Sequence, residues 1–192
     1  GQLALTIVRS TLVAARGISR HFTGEITARV EAALPFSLTP GQKKAVAEIR
    51  DDLAAPTRMS RLLQGDVGAG KTVVALMAMA AVAEGGSQSA LMSPTELLAA
   101  QHFRTLQPLA ETAGLTIALL TGKQPAGERK AILAGLKSGA ITIAVGTHAL
   151  FQSGVEFADL GLTVVDEQHR FGVAQRLALS DKGKAADLLV MT

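Results

Sequence analysis

The chain has 192 residues, enough for one domain of ordinary size with a short appendage. It is 48% apolar, carries a net charge of +3 and contains no cysteine, which excludes disulfides, thiolate metal sites and a cysteine nucleophile. Six Phe with no Trp or Tyr argue against a surface built on aromatic base stacking, while a pI near 9.5 is compatible with nucleic acid without establishing it.

A mean hydropathy of +0.30 is high for a soluble protein and fits parallel strands buried on both faces. The longest apolar run, Val73 to Ala83, is too short and too Ala-rich to span a bilayer, so no membrane association is expected. No signal-peptide pattern opens the chain, and the expected location is cytoplasmic. Gly1 is not a Met and Thr192 follows directly on an apolar strand, so both ends read as cut from something longer.

Residues 1–34 read as helical, with Ile18, Phe22, Ile26, Val30 and Leu34 at the four-residue spacing of one helix face. Gly17 and Gly24 divide that region, and Leu34-Pro35-Phe36 ends it. Arg9, Arg16, Arg20 and Arg29 outweigh Glu25 and Glu31 here, and the simplest reading gives the arginines to solvent and the apolar face to the rest of the fold. Thr39-Pro40-Gly41-Gln42 starts a helix that runs to about Leu53 and is broken by Ala55-Pro56-Thr57.

From Met59 the pattern alternates. Strands are expected at 61–64, 89–92, 116–120, 141–145, 162–165 and 188–191, with helices at 71–84, 95–113, 126–138 and about 172–180. This is the rhythm of an α/β fold, a parallel sheet between two layers of helices, whose ligands bind beyond the carboxyl ends of the strands.

Gly65-Asp66-Val67-Gly68-Ala69-Gly70-Lys71-Thr72 satisfies G-x-x-x-x-G-K-[ST] and lies between an apolar strand and a helix, the context this motif requires. The glycines allow backbone N–H groups to close around phosphate oxygens, and the helix start adds partial positive charge. Lys71 is then placed for the β and γ phosphates and the Thr72 hydroxyl for Mg²⁺. The implied ligand is a nucleoside triphosphate.

A second apolar strand delivers Asp166-Glu167-Gln168-His169 to the same edge of the sheet. Asp166 suits the Mg²⁺ that bridges the phosphates, and Glu167 suits the positioning or deprotonation of an attacking water. A carboxylate in that place favours hydrolysis over transfer to a small acceptor. His102, His148 and His169 are scattered, without ligand spacing, and do not read as a metal site.

Gly65–Thr72 and Asp166–His169 resemble motifs I and II of superfamily-two helicases, whose first motor domain is a RecA-like P-loop NTPase fold. Ser93 to Phe103 resembles motif Ia, and Val145 to Leu150 resembles motif Ib. Gly65-Asp66-Val67-Gly68 together with Asp166-Glu167-Gln168-His169-Arg170-Phe171-Gly172 is similar to the RecG family, bacterial ATP-dependent helicases of branched DNA and stalled forks. The transcription-repair coupling translocases share most of this pattern, but Gln168 stands where they are expected to carry Glu. The resemblance is dense from Phe36 to Thr192.

It implies ATP and Mg²⁺ as cofactors, Gln42 as reader of the adenine edge, Phe36 against the adenine face, and His169 as link between the hydrolytic centre and the DNA-contacting face. For DNA it implies sequence-independent contacts from Pro94, Thr95, Gln101, Gly122, Lys123, Gly146 and Thr147. Residues 1–35 would be a helical linker from an upstream wedge domain, and 36–192 the first motor lobe. The implied partners are branched double-stranded DNA and, in the same full-length chain, that wedge and a second motor lobe with its arginine finger. The implied protein is a monomer at the bacterial nucleoid, and this stretch alone would hydrolyse ATP poorly. From another class, the alternative is a nucleotide-gated switch or binding module that uses ATP to change partners rather than to move.

Overall fold

The structure is a computed structural model that describes residues 6–9, 21–65, 70–166 and 186–192. The elements follow the chain as β1 (Thr6–Arg9), α1 (Glu25–Ala33), α2 (Pro40–Ala54), β2 (Ser60–Gln64), α3 (Lys71–Glu84), β3 (Gln88–Met92), α4 (Glu96–Thr112), β4 (Ile117–Leu120), α5 (Ala126–Ser138), β5 (Ile143–Gly146), a 3-10 turn (His148–Phe151), β6 (Leu160–Asp166) and β7 (Asp187–Met191). The sheet has seven strands in the order β1-β2-β7-β6-β3-β5-β4. Every pairing from β2 to β4 is parallel, so the carboxyl ends of those strands share one edge.

Two buried clusters sandwich the sheet, which gives the three layers expected from the sequence. One is built on α3 with Val30, Ile49, Leu53, Leu106 and Leu162, and the other on Leu120, Leu136, Leu150 and Val165. β3, β5 and β6 are buried along their whole length, as strands covered on both faces must be. Part of the apolar excess has a different origin. α3 is buried at every position from Val73 to Val82, because α1 and α2 lie on the side turned away from the sheet. A helix enclosed in that way is apolar all round and shows no amphipathic stripe.

The helical reading of residues 1–34 is corrected at one place: Thr6–Arg9 is a strand, antiparallel to β2 in the register Thr6↔Gln64 to Arg9↔Arg61. Thr6, Ile7 and Val8 are β-branched and favour an extended backbone, and β2 has an otherwise unpaired edge whose N–H and C=O groups they satisfy. The four-residue spacing further on is real. Val30 is fully buried, and Phe22, Ile26 and Leu34 pack against the same cluster, while Ile18 lies outside the described residues.

α1 is also latched by polar groups. The Glu84 carboxylate at the end of α3 accepts from the Thr27 N–H at 3.0 Å and the Thr27 hydroxyl at 3.1 Å. Arg50 of α2 donates to the Thr27 hydroxyl at 3.1 Å and faces Glu84 at 3.8 Å, so three helices meet on one threonine. α2 begins with a capping box. The Thr39 hydroxyl accepts from the Gln42 N–H at 3.1 Å, and the Gln42 carboxamide oxygen accepts from the Thr39 N–H at 2.9 Å. It ends at Ala54, before the extended Ala55 that Pro56 requires. Among the described residues, no helix is long and apolar enough to cross a membrane.

Candidate nucleotide site

The site lies where β2, β7 and β6 end side by side. Leu63, Met191 and Asp166 stand level in the two registers. β2 and β6 are separated by one strand, so their ends are about 10 Å apart. The chain leaves β2 through α3, passes over the places that β7 and β6 later fill, and enters β3. A parallel sheet opens a crevice at such a crossing.

Gly70 caps α3 in the left-handed region, φ +77°, where a residue with a Cβ is strained. A Cβ there would also overlap the side-chain amide nitrogen of Gln42. Lys71 begins the helix and turns its ammonium back across the strand ends. It donates to the carbonyl of Gly65 at 2.8 Å and to that of Thr192 at 2.7 Å, while the Gly65 N–H donates to Thr192 at 3.3 Å. The cation is thus held by two main-chain oxygens at the crevice mouth. Thr72 is half-buried in the first turn of α3. Asp66, Val67, Gly68 and Ala69 lie outside the described residues, as do Glu167 and His169 and the helix expected at 172–180.

Gln42 is buried, and both ends of its carboxamide are engaged. The oxygen belongs to the capping box, and the nitrogen donates toward the Gly70 carbonyl at 3.5 Å. In this arrangement Gln42 fastens α2 to the start of α3. Phe36 is 49% exposed beside an open hollow of about 390 Å³ lined also by Leu34, Leu38 and Lys43.

Asp166, the last residue of β6, is buried, and its Oδ2 lies 2.7 Å from Nε2 of His102 on α4. This partner escaped the sequence reading, which weighed His102 only as a metal ligand. The signal was its place on α4. His102 falls between Ala99 and Leu106, on the helix stripe that is otherwise buried and apolar.

The residues expected to meet DNA divide in two. Pro94, Thr95, Gln101, Gly122 and Lys123 are exposed. The Thr95 hydroxyl caps α4 by accepting from the Leu98 N–H at 3.2 Å, and the Gly122 N–H donates to the Glu96 carboxylate at 3.2 Å. Gly146 and Thr147 face inward instead. Thr147 is 4% exposed, its hydroxyl accepting from the Ala149 N–H at 3.4 Å, and a Cβ on Gly146 would stand 2.5 Å from the Leu120 carbonyl oxygen. That close approach requires glycine for packing alone.

The family described as DEAD/DEAH box helicase matches residues 39–186. Among curated proteins, the chain is 47% identical over 192 residues to an ATP-dependent DNA helicase RecG of Streptococcus pneumoniae, covering 100% of this chain and 28% of that one. The RecG of Thermotoga maritima is 46% identical over 191 residues, with coverages of 100% and 24%, and a Staphylococcus aureus RecG is 53% identical over 159 residues, with coverages of 83% and 23%. The chain therefore spans about a quarter of the length of the curated relatives it matches. A solved structure of RecG bound to a three-way DNA junction superposes with a TM-score of 0.78 at 44% identity, covering 91% of this chain and 23% of that one. A yeast Dbp5 structure bound to Nup159, Gle1, inositol hexakisphosphate and ADP superposes at TM-score 0.66 over 90% of this chain and 46% of that one, and at 18% identity it shows the shared fold. The strand β2 and the helix α3 that begins at Lys71, the acidic strand end at Asp166 and the match over 39–186 agree: this chain belongs to the DEAD/DEAH box helicase family.

Proposed function

We propose that this chain is the first RecA-like motor lobe of a RecG-type double-stranded DNA translocase that uses ATP to remodel branched DNA and stalled forks in recombination and repair. The observation that carries the reading is the convergence of Lys71 and Asp166 on the two strand ends that flank β7, in a chain similar to RecG over its whole length. On this reading residues 1–35 link to an upstream wedge, 36–192 form the lobe, and a second lobe closes over the crevice. The protein would act as a monomer at the bacterial nucleoid.

The backbone N–H groups of Gly65–Thr72 would cradle the phosphates, with Lys71 leaving its two carbonyls for the β and γ oxygens. Among the described residues the Lys71 ammonium is hydrogen-bonded to main-chain oxygens alone, which a far more basic phosphate can replace. The oxygen donors present suit Mg²⁺. Asp166 has one carboxylate oxygen engaged by His102 and the other remaining, and the Thr72 hydroxyl supplies a second ligand. Bound there, Mg²⁺ would neutralise charge developing on the phosphates. Glu167 would position the attacking water, and His169 would link that centre to DNA. Gln42 would read adenine after giving up the Gly70 carbonyl, with Phe36 against the ring.

Pro94, Thr95, Gln101, Gly122 and Lys123 would track one strand of the duplex, with Gly146 and Thr147 shaping their support from below. In the full-length protein, forked DNA should stimulate ATP hydrolysis strongly, with a salt-dependent affinity for DNA. DNA-independent turnover would favour a nucleotide-gated module and overturn the motor. Stimulation that depends on RNA polymerase would instead favour the transcription-repair branch.

A further inference from the structure

We infer that His102 is a positioning residue for Asp166, holding that carboxylate in the orientation in which its free oxygen meets Mg²⁺; the inference rests on the nucleotide site proposed above. The Nε2–Oδ2 distance of 2.7 Å is that of a short, charge-assisted hydrogen bond. An ionised carboxylate only accepts, so the ring nitrogen facing it carries the proton. Both side chains are largely enclosed, 15% exposed for His102 and 12% for Asp166, so water competes weakly for either partner.

The two residues are 64 apart in sequence and come from different layers, His102 from α4 and Asp166 from the end of β6. His102 occupies a position where the neighbouring turns of the helix contribute Ala99 and Leu106, both fully buried. A polar ring in an apolar stripe needs a partner, and Asp166 is that partner. For the carboxylate, the bond removes rotation about its last torsion and leaves Oδ1 as the oxygen available to a cation. Outer partners of this kind fix the aim of a metal-binding carboxylate, and losing them typically weakens metal affinity about 10–100-fold. α4 is also the helix that the exposed Thr95 caps, so one element joins a surface cap to the group that aims Asp166.

The test uses the full-length protein and a fluorescent ATP analogue, titrated in EDTA and again across a Mg²⁺ series, with ATP turnover read in parallel. His102→Ala should raise the Mg²⁺ concentration that gives half-maximal binding and turnover by about tenfold. Affinity for the metal-free nucleotide should stay within twofold of the unsubstituted protein. His102→Gln places an amide N–H at nearly the reach of Nε2 and should restore most of the Mg²⁺ response. His102→Asn, one bond shorter and equally polar, should behave as His102→Ala does and guards against a variant that misfolds. An unchanged Mg²⁺ midpoint in both Ala and Asn variants, or equal losses with and without Mg²⁺, would overturn the inference. Absence of nucleotide binding by the unsubstituted protein would overturn the proposed site itself.

Discussion

Gly70→Ala tests whether the start of α3 and the capping box of α2 form one mechanical unit. At φ +77° and ψ 27°, an Ala adopts the left-handed region at about 1–2 kcal/mol. The new Cβ would also overlap the Gln42 amide nitrogen, which must then shift. Gln42 is 4% exposed, and its carboxamide oxygen is bonded to the Thr39 N–H at 2.9 Å. Moving it sacrifices that half of the capping box, about 1 kcal/mol. The expected loss is therefore about 2–3 kcal/mol, which for a domain of this size lowers Tm by about 5–10 °C. Gln42→Ala alone keeps Thr39 as cap for the 42 N–H and should cost about 1 kcal/mol. In the Gln42→Ala background, Gly70→Ala has only the backbone strain left to bear. The double variant should then be more stable than the sum of the singles by about 0.5–1 kcal/mol, the size seen for residues in direct contact. Urea unfolding of the four proteins measures this coupling. Additive losses would refute the contact between Gln42 and the start of α3.

Two further substitutions probe how the lobe is held together. Glu84→Gln should destabilise by about 2 kcal/mol, because one carboxylate serves the Thr27 N–H, the Thr27 hydroxyl and Arg50. That value already allows for Arg50 being 32% exposed, which weakens the ion pair. Calorimetry showing no change would mean that α1 is held by its apolar face alone. Gly146→Ala should lower stability by about 1–3 kcal/mol through overpacking against the Leu120 carbonyl and Leu150, measured by the same urea titration. DNA affinity lost without any change in stability would instead point to a direct contact by Gly146.

The parts legible in the sequence were those set by local rules. α3 and α5 span Lys71–Glu84 and Ala126–Ser138, the same limits that helix patterning gave, because glycines and a proline punctuate both ends. The strands from β2 to β7 were visible as apolar runs, to within a residue or two at each end. What escaped depends on partners distant in the chain. β1 forms because β2 has an open edge, a fact that residues 6–9 do not carry in themselves. The His102–Asp166 bond joins two layers, and the second engagement of Gln42 joins residues 28 apart. The inward turn of Thr147 depends likewise on how closely β5 approaches β4. Motif spacing locates residues along the sequence and leaves open which neighbour holds each one.

The central claim is that Lys71 and the turn before it bind the phosphates of a nucleotide. Equilibrium binding of Mg·ATP to the full-length protein and its Lys71→Ala variant tests this most directly. The substitution keeps a good helix former at the start of α3 and removes the charge now resting on the Gly65 and Thr192 carbonyls. A lost charge-assisted contact of about 2–3 kcal/mol corresponds to an affinity some 30–150-fold weaker. That loss, with the urea midpoint displaced by no more than the two carbonyl contacts can explain, is the predicted result. Affinity within twofold of the unsubstituted protein would contradict the account.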